Sequence, residues 1–424
     1  MFENLLAQDG IRDALQREIG ADTVPPAMLF SGPPASGKLT AALECARLLS
    51  CTGDGSWNCR CPDCLRHRAL VHPDMLLLGR RTFPEEIAVA KDLLLRVPGQ
   101  GSAYFFIRAV RKLTNRFHPV LWAGEESRLS KAVPSLQSIE ESLALFDPDA
   151  LEKLEPETLA KTAESLAADC AVLETFAPDA PAVFMVRNLE IWSRNAPLGK
   201  RKCIILENAD RMQDSARNAM LKILEEPPET VRFILLTSRR ASMMATILSR
   251  ARMYSFVPRD ASSTRMILSR VFKAQGESPS IQAYMDERTA FPSGLARKHA
   301  ENLVGALVSS SGPNSAPGSY GDTLAKSADT SGKTIQEIID EVAAATGNFG
   351  TKDKTFSGSF PAFAKALLAV FSELLRESGD NPAWVSRIDE WSGKTREAVI
   401  QNTLLNRNPE LLARTLAASM GERA

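Results

Sequence analysis

Short apolar runs alternate along the chain with amphipathic stretches. Residues 11–19 carry apolar side chains at helical spacing and stop at Gly20, and Ala27-Met28-Leu29-Phe30 then reads as a buried strand running into a Gly/Pro loop. A helix is expected over residues 38–49. Further on, Lys202-Cys203-Ile204-Ile205-Leu206 is an apolar strand ending on an acid, followed by a helical pattern at 216–224 and a second apolar strand at 232–236. Strands that alternate with helices predict an α/β fold with a parallel sheet and helices on both faces, because each parallel neighbour needs a crossover that packs back on the sheet.

Between about residues 80 and 181 the pattern leaves the sheet. Residues 105–117 are basic and helical, and 138–146 and 151–176 read as amphipathic helices parted by Asp147-Pro148-Asp149, an inserted helical hairpin. A helical pattern returns over 262–308 and stops at Ser309-Ser310-Ser311-Gly312-Pro313-Asn314-Ser315-Ala316-Pro317-Gly318, the composition of a flexible linker. A domain boundary is expected there, with residues 309–333 as linker. The remainder, notably 363–377, 383–391 and 394–420, is helical and shows no internal repeat.

At 424 residues the chain is too long for one small module. Hydrophobic residues at 44% and charged residues at 24% leave enough apolar surface for real cores and exclude wholesale disorder. The 51 basic residues equal the 51 acidic ones, so any contact with nucleic acid must come from a local patch. Met1-Phe2-Glu3-Asn4 is not a basic leader before an apolar stretch, and no later run has the length to cross a bilayer, so a cytoplasmic protein without membrane contact is expected. Four of the seven cysteines crowd into 51–64, which in a cytosolic chain reads as a metal site; Cys45, Cys170 and Cys203 read as core thiols.

Gly32-Pro33-Pro34-Ala35-Ser36-Gly37-Lys38 follows a strand and opens a helix, the setting of a phosphate cradle in which loop amides and the helix N-terminus face the phosphates and Lys38 adds charge. A tight turn with a surface lysine is the alternative. Such loops place Ser or Thr next, to ligate magnesium, and this chain has Leu39. Thr40 is one step further, turned by about 100° away. At the end of the second strand, Glu207 stands where an Asp would hold magnesium and Asn208 where a carboxylate would polarise water, and an amide is no base at neutral pH. Asp210 is the other candidate, but strand register favours position 208. The loop can take a nucleotide, with ATP and magnesium left open, and hydrolysis at the chain's own site is expected to be weak or absent.

Downstream stand Asn218-Ala219-Met220-Leu221-Lys222-Ile223-Leu224-Glu225-Glu226-Pro227-Pro228, then Phe233-Ile234-Leu235-Leu236-Thr237-Ser238, then Thr246-Ile247-Leu248-Ser249-Arg250-Ala251. These segments resemble the AAA+ subunits of bacterial clamp loaders, the gamma/tau and delta-prime subunits of DNA polymerase III. The resemblance covers roughly residues 1–80 and 185–300. It implies an AAA+ P-loop domain over 1–258 with a zinc module at 51–64 and the insertion at about 80–181, a small helical lid over 259–308, and a C-terminal all-α collar over 334–424. It also implies a hetero-oligomer with gamma/tau and delta subunits, acting on the sliding clamp and primed DNA as part of the DNA polymerase III holoenzyme.

In that family some subunits hydrolyse ATP while delta-prime is a stator with a defective site, and Leu39 and Asn208 favour delta-prime. The resemblance makes Arg250, with Ser249, an arginine finger that reaches a neighbour's ATP in trans, and puts Thr237 at the sensor position. Arg250 as a plain surface arginine is the alternative. Ala251 replaces the family's usual cysteine and reads as packing. The family's four-cysteine zinc module falls on Cys51, Cys59, Cys61 and Cys64. In the family two residues stand between each of the last three cysteines, whereas only Arg60 separates Cys59 from Cys61; in extended chain these two point to opposite sides, so a bend is needed or His67 replaces one ligand. His72, in His72-Pro73-Asp74, reads as structural. Phe363, Leu367, Leu368 and Phe371 would join the collar or form an internal core. Two other functions stand beside this one: a gamma/tau-like ATPase, and a DNA-binding protein using the cysteine module or the patch Arg108, Arg111, Lys112 and Arg116.

Overall fold

The computed structural model describes residues 1–79, 83–149, 151, 154–178, 180–288, 293–310, 318–346, 359–378, 381–405 and 408–421. These form two compact units, Met1–Met285 and Asp286–Ala424.

The first unit is built on five strands, β1 (Ala27–Ser31), β2 (Met75–Gly79), β3 (Lys202–Glu207), β4 (Val231–Thr237) and β5 (Arg252–Ser255), all parallel in the order β2-β3-β4-β1-β5. The expected parallel α/β sheet is therefore present. Alternate side chains serve two cores. Met28, Phe30, Leu77, Ile205 and Ile234 point to one face, where the helices Asp9–Gly20 and Lys38–Ser50 cover them. Leu29, Leu76, Leu78, Ile204, Leu206, Phe233 and Leu235 point to the other. A parallel sheet buried on both faces needs the near-continuous apolar strands that the sequence supplies.

The stretch read as an insertion is helical, with helices at Phe83–Arg96, Gln100–Thr114, Val133–Leu143 and Pro156–Glu174. Phe106, Val110, Leu113, Ile139, Leu166 and Leu173 belong to the same apolar core as Leu76 and Ile204. This stretch is thus the cover of one sheet face. The helix Ala261–Phe272 packs Ile267, Leu268 and Phe272 with Val89 of the same cover.

In the second unit, helices Ser293–Ser309, Gly318–Ser331, Ile335–Thr346, Ser359–Glu377, Pro382–Leu405 and Pro409–Gly421 surround Leu303, Phe360, Phe363, Leu367, Phe371, Trp384 and Trp391. Phe363, Leu367 and Phe371 are interior, and Leu368 is partly buried against them. The flexible linker expected at 309–333 is a helix over Gly318–Ser331, with 311–317 outside the described residues. This helix lies close to Ser293–Ser309, where Gly305 leaves room for it: a Cβ on Gly305 would lie 2.4 Å from the Leu324 carbonyl oxygen and 3.2 Å from Ala328 Cβ. The helix Ser293–Ser309, expected in a lid with Ala261–Phe272, belongs to this second unit.

Gly79 closes β2 at φ +104°, and a Cβ there would stand 2.0 Å from the Glu207 carbonyl oxygen on β3. Gly79→Ala is expected to cost about 3 kcal/mol, because strained backbone and overlap with a neighbouring strand add. Denaturant unfolding of the variant against wild type measures it.

Candidate functional site

β1 lies between β4 and β5, so the loop that leaves it emerges beside the C-terminal ends of its neighbours. Gly32 N donates to Thr237 O at 3.2 Å, and only glycine fits because a Cβ would meet the Phe256 carbonyl oxygen at 2.6 Å. Ala35 (φ +56°) and Gly37 (φ +98°) turn the chain through left-handed conformations into the helix at Lys38, whose first turn has no side-chain cap. Pro33 and Pro34 stiffen the loop. Ser36 is buried. Lys38 Nζ folds back on the loop, donating to Gly32 O at 2.6 Å, Pro33 O at 2.5 Å and Ser36 Oγ at 3.3 Å. Burial pulls its pKa down to about 8 against the opposing pull of Asp210 and Glu207. Leu39 packs against the core beneath β1, and Thr40 is exposed.

The acidic strand end differs from a bare pair of metal ligands. Glu207 is buried and its Oε1 lies 2.5 Å from Nη2 of Arg116, which is itself 4% exposed. Arg116 sits in the Asn115–Phe117 turn after the helix Gln100–Thr114. β3 ends at Glu207, and Asn208 takes a left-handed conformation (φ +50°) that turns the chain into the short Ala209–Arg211 helix. That turn brings Asp210 back: its Oδ1 accepts from Thr237 Oγ1 at 2.7 Å, and Thr237 Oγ1 accepts from Arg239 N at 2.9 Å. The register reasoning that set Asp210 aside assumed a strand through position 208. The left-handed turn makes Asp210 the acid wired to Thr237.

The basic patch weighed for DNA binding is not a free face. Arg108 donates to His67 O and Arg68 O, Arg111 pairs with Glu140, Lys112 with Glu86, and Arg116 with Glu207. Their helical spacing hid these partners, which come from other elements.

Arg259, which the sequence did not single out, reaches the phosphate loop: its Nε donates to Ala35 O at 2.9 Å, and its Nη2 would be 2.8 Å from a Cβ on Gly37. Leu5 also lies against Gly37, and it lines a cavity of about 1140 Å³ walled by the N-terminal segment, Val257 and Met266. Ser249 and Arg250 follow the short helix Ala245–Leu248 at the surface. Arg250 Nη1 donates to Thr246 O at 3.0 Å, and Nη2 pairs with Glu225 Oε1 at 2.8 Å. Ala251 is buried.

The four cysteines between 51 and 64 converge. Cys51 Sγ is 3.7 Å from Cys59 Sγ and 3.9 Å from Cys61 Sγ, and all four sulfurs lie within 4.8 Å of one another. A tetrahedral ion with Zn–S near 2.3 Å requires sulfurs about 3.8 Å apart, so the cluster could hold a metal ion. The bend that the Cys59-Arg60-Cys61 spacing demands is there: Cys59 N closes a turn on Ser56 O, and Cys61 caps the helix Pro62–Arg68, accepting from Cys64 N at 3.4 Å. Gly53 N donates to Cys51 Sγ at 3.3 Å and Arg47 Nη1 to Cys64 Sγ at 3.0 Å. Burial raises the Cys61 thiol, but hydrogen bonds from Cys64 and Thr52 outweigh it and bring the pKa to about 6. His67 is elsewhere: its Nε2 is 3.0 Å from Ser50 Oγ and its ring stacks on His72 at 4.1 Å. Burial, helped by His72 and two arginines, holds His67 neutral with a pKa near 2. His72 accepts from Asp74 N and faces Asp63, a structural role.

A family model described as "DNA polymerase III, delta subunit" matches residues 7–118 and 180–260. DNA polymerase III subunit delta' of Escherichia coli is 38% identical over 66 residues, 16% of this chain and 20% of that protein. The Haemophilus influenzae delta' subunit is 35% identical over 74 residues, 17% of this chain and 23% of its own. A replication factor C small subunit of Methanocella arvoryzae is 32% identical over 107 residues, 24% of this chain and 33% of its own, so the chain spans a third or less of these relatives. A crystal structure of a DNA polymerase III gamma-subunit-related protein from Thermotoga maritima aligns over 57% of this chain and 79% of that one, at 20% identity and a TM-score of 0.24. Among the described residues no helix is long and apolar enough to cross a membrane. The family match falls on the two segments that carry the phosphate loop, the acidic strand and the Ser249-Arg250 turn, and with the delta' relatives it supports a place in the DNA polymerase III clamp-loader family.

Proposed function

We propose that this chain is a delta-prime-like subunit of a clamp loader, helping to place a sliding clamp on primed DNA in the cytoplasm as one member of a hetero-oligomer with gamma/tau-like and delta-like subunits. In this reading it contributes Arg250 to the ATP of a neighbouring subunit and does not turn over ATP itself. The observation that carries the reading is a contrast within one unit. Arg250 stands at the surface on an ion pair with Glu225, while the chain's own loop has Leu39 in place of a hydroxyl and Asn208 in place of a base. A guanidinium offers fixed charge and several donors to phosphate oxygens as charge shifts between them, which suits Arg250 to act across an interface. Ser249 Oγ accepts weakly from Arg250 at 3.5 Å and donates to Thr246 O, a local brace for the arginine. Thr237 serves structure in this reading, since its hydroxyl is committed to Asp210.

We further propose that the cysteine cluster holds a structural zinc ion. Four thiolates leave no open coordination position, and around a divalent ion they carry a net charge of about −2. The surroundings answer that charge: Arg47 donates to Cys64 Sγ, Arg68 to Cys59 O and Lys200 to Cys51 O.

Reconstitution with the gamma/tau and delta subunits of a clamp loader tests the first proposal. Arg250→Ala is expected to leave assembly intact and to lower ATP turnover of the complex by roughly a thousandfold at the site it serves. Brisk magnesium-dependent turnover by the isolated chain would overturn the stator reading in favour of a gamma/tau-like ATPase. For the cysteine cluster, metal analysis is expected to find zinc, and Cys64→Ser to lose it together with roughly 5–10 °C in melting temperature.

A further inference from the structure

The four groups that would surround magnesium at the phosphate loop do not fit that ion. Magnesium demands oxygen ligands in near-octahedral array. Leu39 offers none and packs into the core. Asn208 is an amide on a left-handed turn. Asp210 Oδ1 accepts the Thr237 hydroxyl. Glu207 is engaged by Arg116 at 2.5 Å, and for a metal to take this carboxylate it would have to break a buried ion pair. Arg116 is held in place as well: its guanidinium lies 5.5 Å from the centre of the Phe83 ring, and its carbonyl oxygen accepts from Trp122 Nε1 at 2.8 Å.

Positive charge reaches the loop from a second direction. Arg259 lies over Gly37, anchored by one bond to Ala35 O, and its Nη1 is buried with no hydrogen-bond partner among the described residues. A planar fork with a donor to spare is the geometry that takes a phosphate oxygen. Lys38 and Arg116 answer Glu207 and Asp210, and Arg259 adds a further positive charge at the loop before any ion is added.

We propose that this site takes a nucleoside polyphosphate without magnesium, with Arg116 as the built-in counter-ion of Glu207 and Arg259 as the phosphate ligand that replaces the metal. The proposal rests on the reading of Gly32–Lys38 as a phosphate loop. It does not depend on Arg250 acting in trans. Metal-free binding gives such a site a use that hydrolysis does not: a nucleotide that stays put and orders the loop.

Calorimetric titration of ATP into the full-length chain, with magnesium and with EDTA, tests it without any substitution. The two affinities are expected to agree within about threefold. Weakening by tenfold or more in EDTA would overturn the proposal. So would failure to bind ATP in both buffers, an outcome that leaves the Arg250 reading untouched because that reading is measured by turnover of the assembled complex. Arg259→Gln is expected to weaken ATP by about tenfold in EDTA, with Arg259→Lys intermediate. Arg116→Gln, once circular dichroism shows it folded, is expected to make ATP affinity rise with magnesium because Glu207 is released; a folded variant that stays indifferent to the metal would remove Arg116 from the proposal. Should that variant not fold, the wild-type comparison and Arg259→Gln decide.

Discussion

A parallel sheet has all its C-terminal ends along one edge, and in this chain that constraint assembles the site. The register pairs Ser31 with Thr237 and Leu206 with Leu235, so the loop after β1, the acidic end of β3 and the hydroxyl of β4 come together although most of the first unit lies between Ser31 and Thr237 in sequence. The sheet can be parallel only if both faces are covered. One cover is the helix that the phosphate loop itself opens, Lys38–Ser50, ten of whose residues are buried. The other is the helical stretch after β2, and it delivers Arg116 to Glu207. Covering the sheet and neutralising its acidic edge are therefore one structural event.

Buried charge follows the same logic throughout the first unit. Lys112 meets Glu86 within the helical cover, and Arg47 meets Glu44 on the helix after the loop. The second pair extends further: Glu44 Oε1 accepts the backbone N–H of Phe2, while Arg47 donates to Cys64 Sγ, Gly55 O and Ser56 O. One buried ion pair thus ties the N-terminal segment, which walls the cavity beside the loop, to the cysteine cluster. A buried pair is strongly destabilising to break because the survivor is left uncompensated. The small cysteine loop, with no core of its own beyond its sulfurs, is docked by this pair as well as by any ion it holds.

The strands, the phosphate loop and the cysteine cluster were legible in the sequence because each is local: an apolar run, a Gly/Pro turn into a helix, four thiols within 51–64. Residues whose meaning comes from a distant partner were not. Arg116 reads as one of four cations on a helix face, and nothing nearby announces Glu207, which lies 91 residues on. Asp210 was hidden by Asn208, whose left-handed backbone ends the strand one residue before register reasoning did. The linker expected over 309–333 rested on the composition of 309–318; the part of that range from Gly318 to Ser331 is a helix that packs closely on Gly305 of another helix, a partner no local composition announces. Composition alone does not choose between these outcomes.

The ion pair at Arg250 differs in kind from those inside. Glu225 is half exposed and Arg250 one-third exposed, and such pairs are worth about 0–1 kcal/mol in water. Glu225 therefore keeps the guanidinium extended over the surface without committing it, as a buried partner would. In the proposed assembly a phosphate carrying more charge than a carboxylate would outbid Glu225 at little cost, with Thr246 O still holding the other end of the fork. The same chain thus holds two arginines in opposite states: Arg116 locked by burial, and Arg250 loosely tethered, as its proposed role in trans requires.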